Sequence, residues 1–134
     1  MAGHIAIVGA GLVGGGWTIV FARAGEQVRV YDAAPAIRQG FMAVVGQQLD
    51  DLKSYELIDD VAAILARIID CETLEEAVRG ARFVQESVLE EVPVKREISN
   101  QIGPLLDPGA IVGSSTSGIP GSAFTEEATN RERF

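Results

Sequence analysis

Cysteine and histidine are almost absent from this sequence. The 134 residues contain one of each, Cys71 and His4. A single cysteine excludes an intrachain disulfide and is typical of a reducing compartment. Because metal sites need several Cys, His or carboxylate ligands close together, no metal site is predicted. Cys71 has apolar neighbours and is predicted to be a buried structural thiol.

Positive charge is also scarce. The chain contains eleven Lys and Arg and nineteen Asp and Glu, which gives a net charge of −8. No basic stripe is present, so a nucleic-acid-binding surface is excluded. Charge is missing altogether from residues 5–22, but that stretch contains five glycines and no Lys or Arg precedes it. It therefore lacks the pattern of a signal peptide or membrane span, and a soluble cytoplasmic protein without a membrane partner is expected.

The abundant glycine is concentrated in one motif near the start of the chain. Residues 5–8 form an apolar run typical of a buried strand, and residues 9–14 read G-x-G-x-x-G. A segment of helical periodicity follows, with Val13, Trp17, Val20 and Phe21 as its predicted apolar face, and a second strand then leads to Asp32. Strand, glycine turn, helix, strand and terminal acid together predict a dinucleotide-binding unit.

Each glycine of the motif has a separate predicted role. Gly9 permits the tight turn, Gly11 lets the backbone approach a pyrophosphate, and Gly14 lets the helix lie close to the sheet. The unpaired N–H groups at the helix start would then face the phosphates. The predicted cofactor-binding residues of this turn are Gly9, Gly11, Leu12, Val13 and Gly14.

Asp32 lies 18 residues after Gly14, the spacing at which an acid meets the adenosine ribose. A carboxylate there accepts hydrogen bonds from both ribose hydroxyls and repels a 2′-phosphate. NAD rather than NADP is therefore the predicted cofactor. The alternative is that Asp32 is a turn residue that caps the next helix.

The remaining sequence continues the alternation of strands and helices in one domain of residues 1–134. It predicts an α/β fold, a Rossmann doubly wound parallel sheet of strand order 3-2-1-4-5. A helical hairpin, residues 35–53 and 59–67, is predicted before the third strand. The later strands are predicted at residues 68–71, 82–86 and 110–113, with helices between them. The fifth strand would leave an apolar edge that invites pairing with another chain.

Two further loops should face the cofactor, since ligands bind at the carboxyl ends of parallel strands. Residues 87–93 hold two glutamates, and residues 114–118 hold hydroxyls that either bond a substrate oxygen or cap a turn. Lys95 follows in the first helical turn. Either an anionic or polar ligand holds it there, or it pairs with Glu91 or points to solvent, and the second interpretation is favoured. His4 would lie at the opposite end of the first strand and is not expected to be catalytic.

Three segments resemble a known family. They read GAGLVGGGW, FVQESVLEEVPVKREI and GSSTSGIP, and the chain closes on NRERF. The whole chain is similar to the NAD-binding domain of the L-3-hydroxyacyl-CoA dehydrogenase family, on the branch of lambda-crystallin and L-gulonate 3-dehydrogenase.

The resemblance implies roles for residues outside the glycine turn. Ser87 and Lys95 match cofactor contacts, Glu90 matches a glutamate beside the nicotinamide and active site, and Ser117 matches the serine near the substrate hydroxyl. Glu90 and Ser117 are thus the candidate catalytic residues. The resemblance also makes Ser87, Glu90, Lys95 and Ser117 predicted cofactor-binding residues, in addition to Asp32 and the five of the glycine turn. Ser115 and Gly118 stand where acyl-CoA enzymes usually carry Asn and Ser, a departure that argues against an acyl-CoA substrate.

The resemblance also implies a function for the whole family member. It implies an NAD-dependent oxidoreductase of fatty acid metabolism, a cytoplasmic dimer that transfers hydride between NAD and the 3-hydroxy group of a hydroxyacyl-CoA or similar 3-hydroxy acid. The family's catalytic histidine and C-terminal helical domain would follow Phe134, so this chain alone is expected to be inactive. A non-catalytic nucleotide-binding module and a crystallin-like structural protein are the alternatives.

Overall fold

The computed structural model describes residues 2–134 and contains one parallel sheet of five strands. Its order is β3-β2-β1-β4-β5, as predicted. The strands are β1 (His4–Val8), β2 (Val28–Tyr31), β3 (Ile68–Asp70), β4 (Ala81–Glu86) and β5 (Ile111–Ser114). The register aligns Val8 with Tyr31 and with Glu86, and Glu86 with Ser114. Four strands therefore end at the same edge of the sheet.

Helices connect the strands and cover both faces of the sheet. Residues Gly103–Leu105 and Arg131–Arg133 form short 3₁₀ turns. The α-helices are α1 (Leu12–Arg23), α2 (Pro35–Ser54), α3 (Val61–Leu65), α4 (Leu74–Val78), α5 (Val92–Ile102) and α6 (Ser122–Thr125). The α2–α3 hairpin lies between β2 and β3, as predicted. Helix α4 begins with a capping box, since the Thr73 and Glu76 side chains each accept from the other's backbone N–H.

The core lies in two layers, one on each face of the sheet. Ile5, Ile7, Val28 and Val30 pack against α1, α2 and α3, whereas Ala6, Val8, Val84 and Val112 pack against α4 and α5. Alternate residues of each central strand thus enter opposite layers, as the pleat requires.

The predicted apolar face of α1 was wrong for three of its four residues, since only Phe21 packs against the core. Val13, Trp17 and Val20 remain 53%, 38% and 53% exposed. The buried face consists instead of small residues: Gly14, Gly15, Thr18 and Ala22. Because α1 lies close to the sheet, small side chains are favoured where the two are in contact. The large apolar residues that recur with helical periodicity therefore lie mostly on the outer face of the helix.

The predicted contact face of α2 was only partly right. Phe41, Val45 and Leu49 are buried, but Ile37 and Val44 are 41% and 57% exposed. The two exposed residues flank a groove between α1 and α2. The stripe that packs on the core is therefore narrower than the apolar pattern of the sequence.

Two side chains singled out by their rarity are structural. Cys71 is buried, and burial raises the pKa of its thiol, as expected for an unreactive cysteine. His4 is also buried and its Nε2 donates to the carbonyl of Ala77 at 2.6 Å. His4 thus lies at the amino end of β1, away from the edge where the strands end.

We expect His4 to make the fold less stable in mild acid. Burial lowers the pKa of its imidazole from the ordinary 6.5, outweighing the hydrogen bond to Ala77, and the nearby Arg29 and Arg82 lower it further while Asp107 opposes them. The unfolded chain then takes up this proton more readily, so the contribution is complete above pH 6.5 and is lost as pH falls through the lower folded pKa. Between neutral and mildly acidic pH, the urea concentration at the unfolding midpoint should fall more for the parent than for His4→Gln. An equal fall in the two proteins would contradict this expectation.

No helix among residues 2–134 is long and apolar enough to cross a membrane.

Candidate dinucleotide site

A crevice of about 460 Å³ opens at the carboxyl edge of β1, β2 and β4. It is bounded by the glycine turn after β1, the turn after β2 and the loop after β4. The predicted site residues among its lining are Gly9, Gly11, Leu12, Val13, Asp32 and Ser87. The topology thus brings together six of the ten residues predicted to bind a cofactor.

The glycine turn is shaped by contacts that exclude side chains at two positions. Gly9 has φ +98°, and a Cβ there would lie 2.6 Å from the Ser87 carbonyl oxygen. A Cβ on Gly14 would lie 1.7 Å from the Gly9 oxygen. Gly11 is different, since nothing lies within 4 Å of the position that its Cβ would occupy. The space beside Gly11 is therefore open to a ligand, and it lies where α1 begins with unpaired N–H groups.

Asp32 joins the turn after β2 to the glycine turn. Its Oδ2 accepts from the Ala10 N–H and its Oδ1 from the Ala34 N–H, both at 2.8 Å. The bond to Ala34 supports the predicted turn role in part, but the N-cap of α2 is Ala34 and has no side-chain cap. Each carboxylate oxygen retains a lone pair for a ribose hydroxyl. The acid is thus fixed in place at the rim of the crevice.

Glu90 and Ser117 are brought together from different loops. The Ser117 N–H donates to Glu90 Oε2 at 3.2 Å, and the Thr116 hydroxyl donates to Oε1. The Thr116 hydrogen bond is the main cause that lowers the pKa of the Glu90 carboxyl, with smaller contributions from the Ser117 N–H and from Lys95. The loops after β4 and β5 are therefore joined through an ionised carboxylate.

The favoured interpretation of Lys95 was wrong. This side chain neither points to solvent nor pairs with Glu91: it is 1% exposed, and its Nζ lies 2.9 Å from Glu86 Oε2. Glu90 Oε1 is 4.0 Å away. The Glu86 carboxylate offsets the unfavourable position of a cation in the first turn of α5. Lys95, Glu90 and Ser117 lie beside the crevice rather than among its lining residues.

Sequence reasoning missed Glu86 and the polar network around it. Ser87 and Ser115 share a hydrogen bond at 2.7 Å between their hydroxyl oxygens, and Gln85 Nε2 donates to Ser115 at 2.8 Å. The signal available in the sequence was a glutamate at the end of a predicted strand, nine residues before a lysine. Buried carboxylates require such partners.

The fold and the crevice define a dinucleotide-binding domain of the Rossmann type. The family model described as "3-hydroxyacyl-CoA dehydrogenase, NAD binding domain" matches residues 4–134, and the chain belongs to this family. NAD is accordingly the cofactor of this domain.

Curated relatives and a solved structure agree with this assignment. The L-carnitine dehydrogenase of Streptomyces coelicolor is 34% identical over 131 residues, which are 98% of this chain and 41% of that protein. The lambda-crystallin of Oryctolagus cuniculus is 35% identical over 128 residues, 92% of this chain and 40% of that protein. The structure of (S)-3-hydroxybutyryl-CoA dehydrogenase from Ralstonia eutropha has a TM-score of 0.90 at 29% identity, covering 100% of this chain and 48% of that one. The chain thus spans less than half the length of each.

Proposed function

We propose that this domain serves an NAD-dependent dehydrogenase that transfers hydride between NAD and the 3-hydroxy group of a hydroxyacyl-CoA or similar 3-hydroxy acid. The observation that carries the proposal is the open crevice, flanked by Asp32 at one end and by the joined pair Glu90 and Ser117 beyond the β4 loop. The names of the relatives, an L-carnitine dehydrogenase and a 3-hydroxybutyryl-CoA dehydrogenase, support the reaction class.

The residues that line the crevice fit the ADP-ribose part of NAD, and the residues beside it fit the nicotinamide end. Asp32 would accept from the adenosine ribose, and the N–H groups beside Gly11 would bind the pyrophosphate. Bound NAD supplies the acceptor for a hydride. Ser87, Glu90 and Lys95 would flank the nicotinamide end, and Ser117 would orient the substrate hydroxyl. None of these side chains is placed as a base for the hydroxyl proton, and His4 lies at the opposite end of β1.

The proposal is tested by supplying the part of the relatives that this chain does not span. The domain would replace the matching residues of the Streptomyces coelicolor L-carnitine dehydrogenase. NADH oxidation would be followed with 3-dehydrocarnitine, the ketone that corresponds to carnitine, and with acetoacetyl-CoA and 3-dehydro-L-gulonate. Turnover by the hybrid, reduced in its Ser117→Ala variant, is expected. The chain alone is expected to bind NADH without turnover.

A non-catalytic nucleotide-binding module remains the second candidate. It is supported by the crevice itself, which would bind a dinucleotide whether or not the domain serves a catalysed reaction. A folded hybrid that binds NADH but oxidises none with any of the three ketones would support this second function.

We expect the domain to bind NADH more tightly than NADPH. In Asp32→Ser, the ratio of the two affinities should fall by about tenfold or more. The carboxylate at the rim would repel a 2′-phosphate, and a serine would not. Calorimetric titration with both cofactors gives the ratio. Asp70→Ser is the matched control, since Asp70 ends the neighbouring β3 but does not line the crevice. Equal affinities in the parent would contradict the role of Asp32.

A further inference from the structure

A buried carboxylate lies where the loops beside the crevice meet. Glu86 is the last residue of β4, is 1% exposed, and stands between Val8 of β1 and Ser114 of β5 in the sheet. Burying a carboxylate is costly unless it is paired and hydrogen-bonded. Glu86 therefore needs its contacts, and each contact fixes a neighbouring element.

The two oxygens of Glu86 contact three separate segments. Oε2 accepts from Lys95 Nζ at the start of α5 and from the Val88 N–H, both at 2.9 Å. Oε1 accepts from the Ser114 hydroxyl at 2.7 Å. Lys95 Nζ also lies 3.4 Å from the Val88 carbonyl, so the ion pair holds the backbone of this loop at its N–H and at its C=O.

These anchor points are next to the predicted nicotinamide contacts. Val88 lines the crevice and is followed two residues later by Glu90, while Ser114 directly precedes the loop with Thr116 and Ser117. Glu90 contacts that second loop at its rim through Thr116 and Ser117. Glu86 thus joins the two loops from beneath and Glu90 joins them at the surface.

We propose that Glu86 is a positioning residue for the nicotinamide end of the crevice, an inference that rests on the proposed function. Through Lys95, Val88 and Ser114 it holds Glu90 and Ser117 at a fixed separation. The adenosine end depends on Gly11 and Asp32, which Glu86 does not contact. Loss of the Glu86 carboxylate should therefore weaken contacts to nicotinamide and leave those to ADP-ribose intact.

The test compares NADH with ADP-ribose, which lacks the nicotinamide. Glu86→Gln keeps the size of the side chain but leaves the Lys95 ammonium with only the more distant carboxylate of Glu90, 4.0 Å away, as its counter-charge. The variant should bind NADH about tenfold more weakly and ADP-ribose with an affinity within about twofold of the parent. Glu91→Gln is the matched control: Glu91 is an exposed neighbouring glutamate without a side-chain cap, and its variant should match the parent for both ligands.

Ser114→Ala is the milder variant, since it leaves the ion pair of Glu86 with Lys95 intact. It removes the hydrogen bond to Glu86 Oε1 and the one that Ser114 Oγ accepts from the Thr116 N–H at 3.2 Å. It decides the question if Glu86→Gln does not fold. It too should lose NADH affinity selectively. A parallel fall for both ligands would assign Glu86 to general stability, and unchanged NADH affinity would also overturn the proposal. A parent chain that binds neither ligand would contradict the proposed function itself, a result separate from either of these.

Discussion

Gly11→Val is expected to abolish NADH binding and to leave the domain folded. Gly11 has φ −75° and ψ −159°, an extended conformation open to any residue, and its Cβ would meet nothing within 4 Å. The valine methyl groups would instead occupy the space beside the start of α1, where the pyrophosphate approaches the backbone. We expect the affinity for NADH to fall by about 100-fold or more, equivalent to about 2.7 kcal/mol.

Fluorescence titration with NADH measures this affinity, and circular dichroism with thermal unfolding checks the fold. Gly16→Val is the matched control, because Gly16 belongs to the same helix, is exposed, has no neighbour within 4 Å of its Cβ position and does not line the crevice. It should bind NADH like the parent. Unchanged affinity in Gly11→Val would mean that the turn is structural only.

The topology was predictable because local signals and global fold agree. The apolar run of β1, the turn at Gly9 and the acid at Asp32 each have a local cause, and parallel pairing with right-handed crossovers leaves few alternatives for the strand order. The outward face of α1 was not predictable from hydrophobicity. Its buried contact uses Gly14 and Thr18, residues that a hydrophobic pattern counts as weak or polar.

The candidate site also has one part that could be predicted from the sequence and one part that could not. Of the residues predicted from the glycine turn and Asp32, all except Gly14 line one crevice, because their positions follow from a turn of fixed geometry. The environment of Lys95 could not be read locally: its partner Glu86 lies nine residues earlier, on a strand, and comes close only after the loop between them folds back. The favoured interpretation paired Lys95 with Glu91, which is closer in the sequence, and did not take this tertiary contact into account.

Gly14→Ala, in the same motif as Gly11, should act on the fold rather than on the ligand. The added Cβ would lie 1.7 Å from the Gly9 oxygen and 3.4 Å from the Ile7 side chain. Gly9 is held in place, because its N–H donates to the carbonyl of Tyr31 at 2.9 Å. Helix α1 would have to shift from the sheet, and we expect unfolding to become easier by about 3 kcal/mol.

Gly16→Ala, two residues along the same helix, gives the opposite expectation. It has open space and should stabilise the domain by about 1 kcal/mol, since alanine is the better helix former. Urea unfolding of the two variants and the parent measures both effects. Gly14→Ala should also weaken NADH binding, because α1 carries the N–H groups that would face the pyrophosphate. This loss of affinity should be larger the further the helix moves from its position in the parent. A Gly14→Ala domain as stable as the parent would show that close contact between α1 and the glycine turn is not needed to hold this fold.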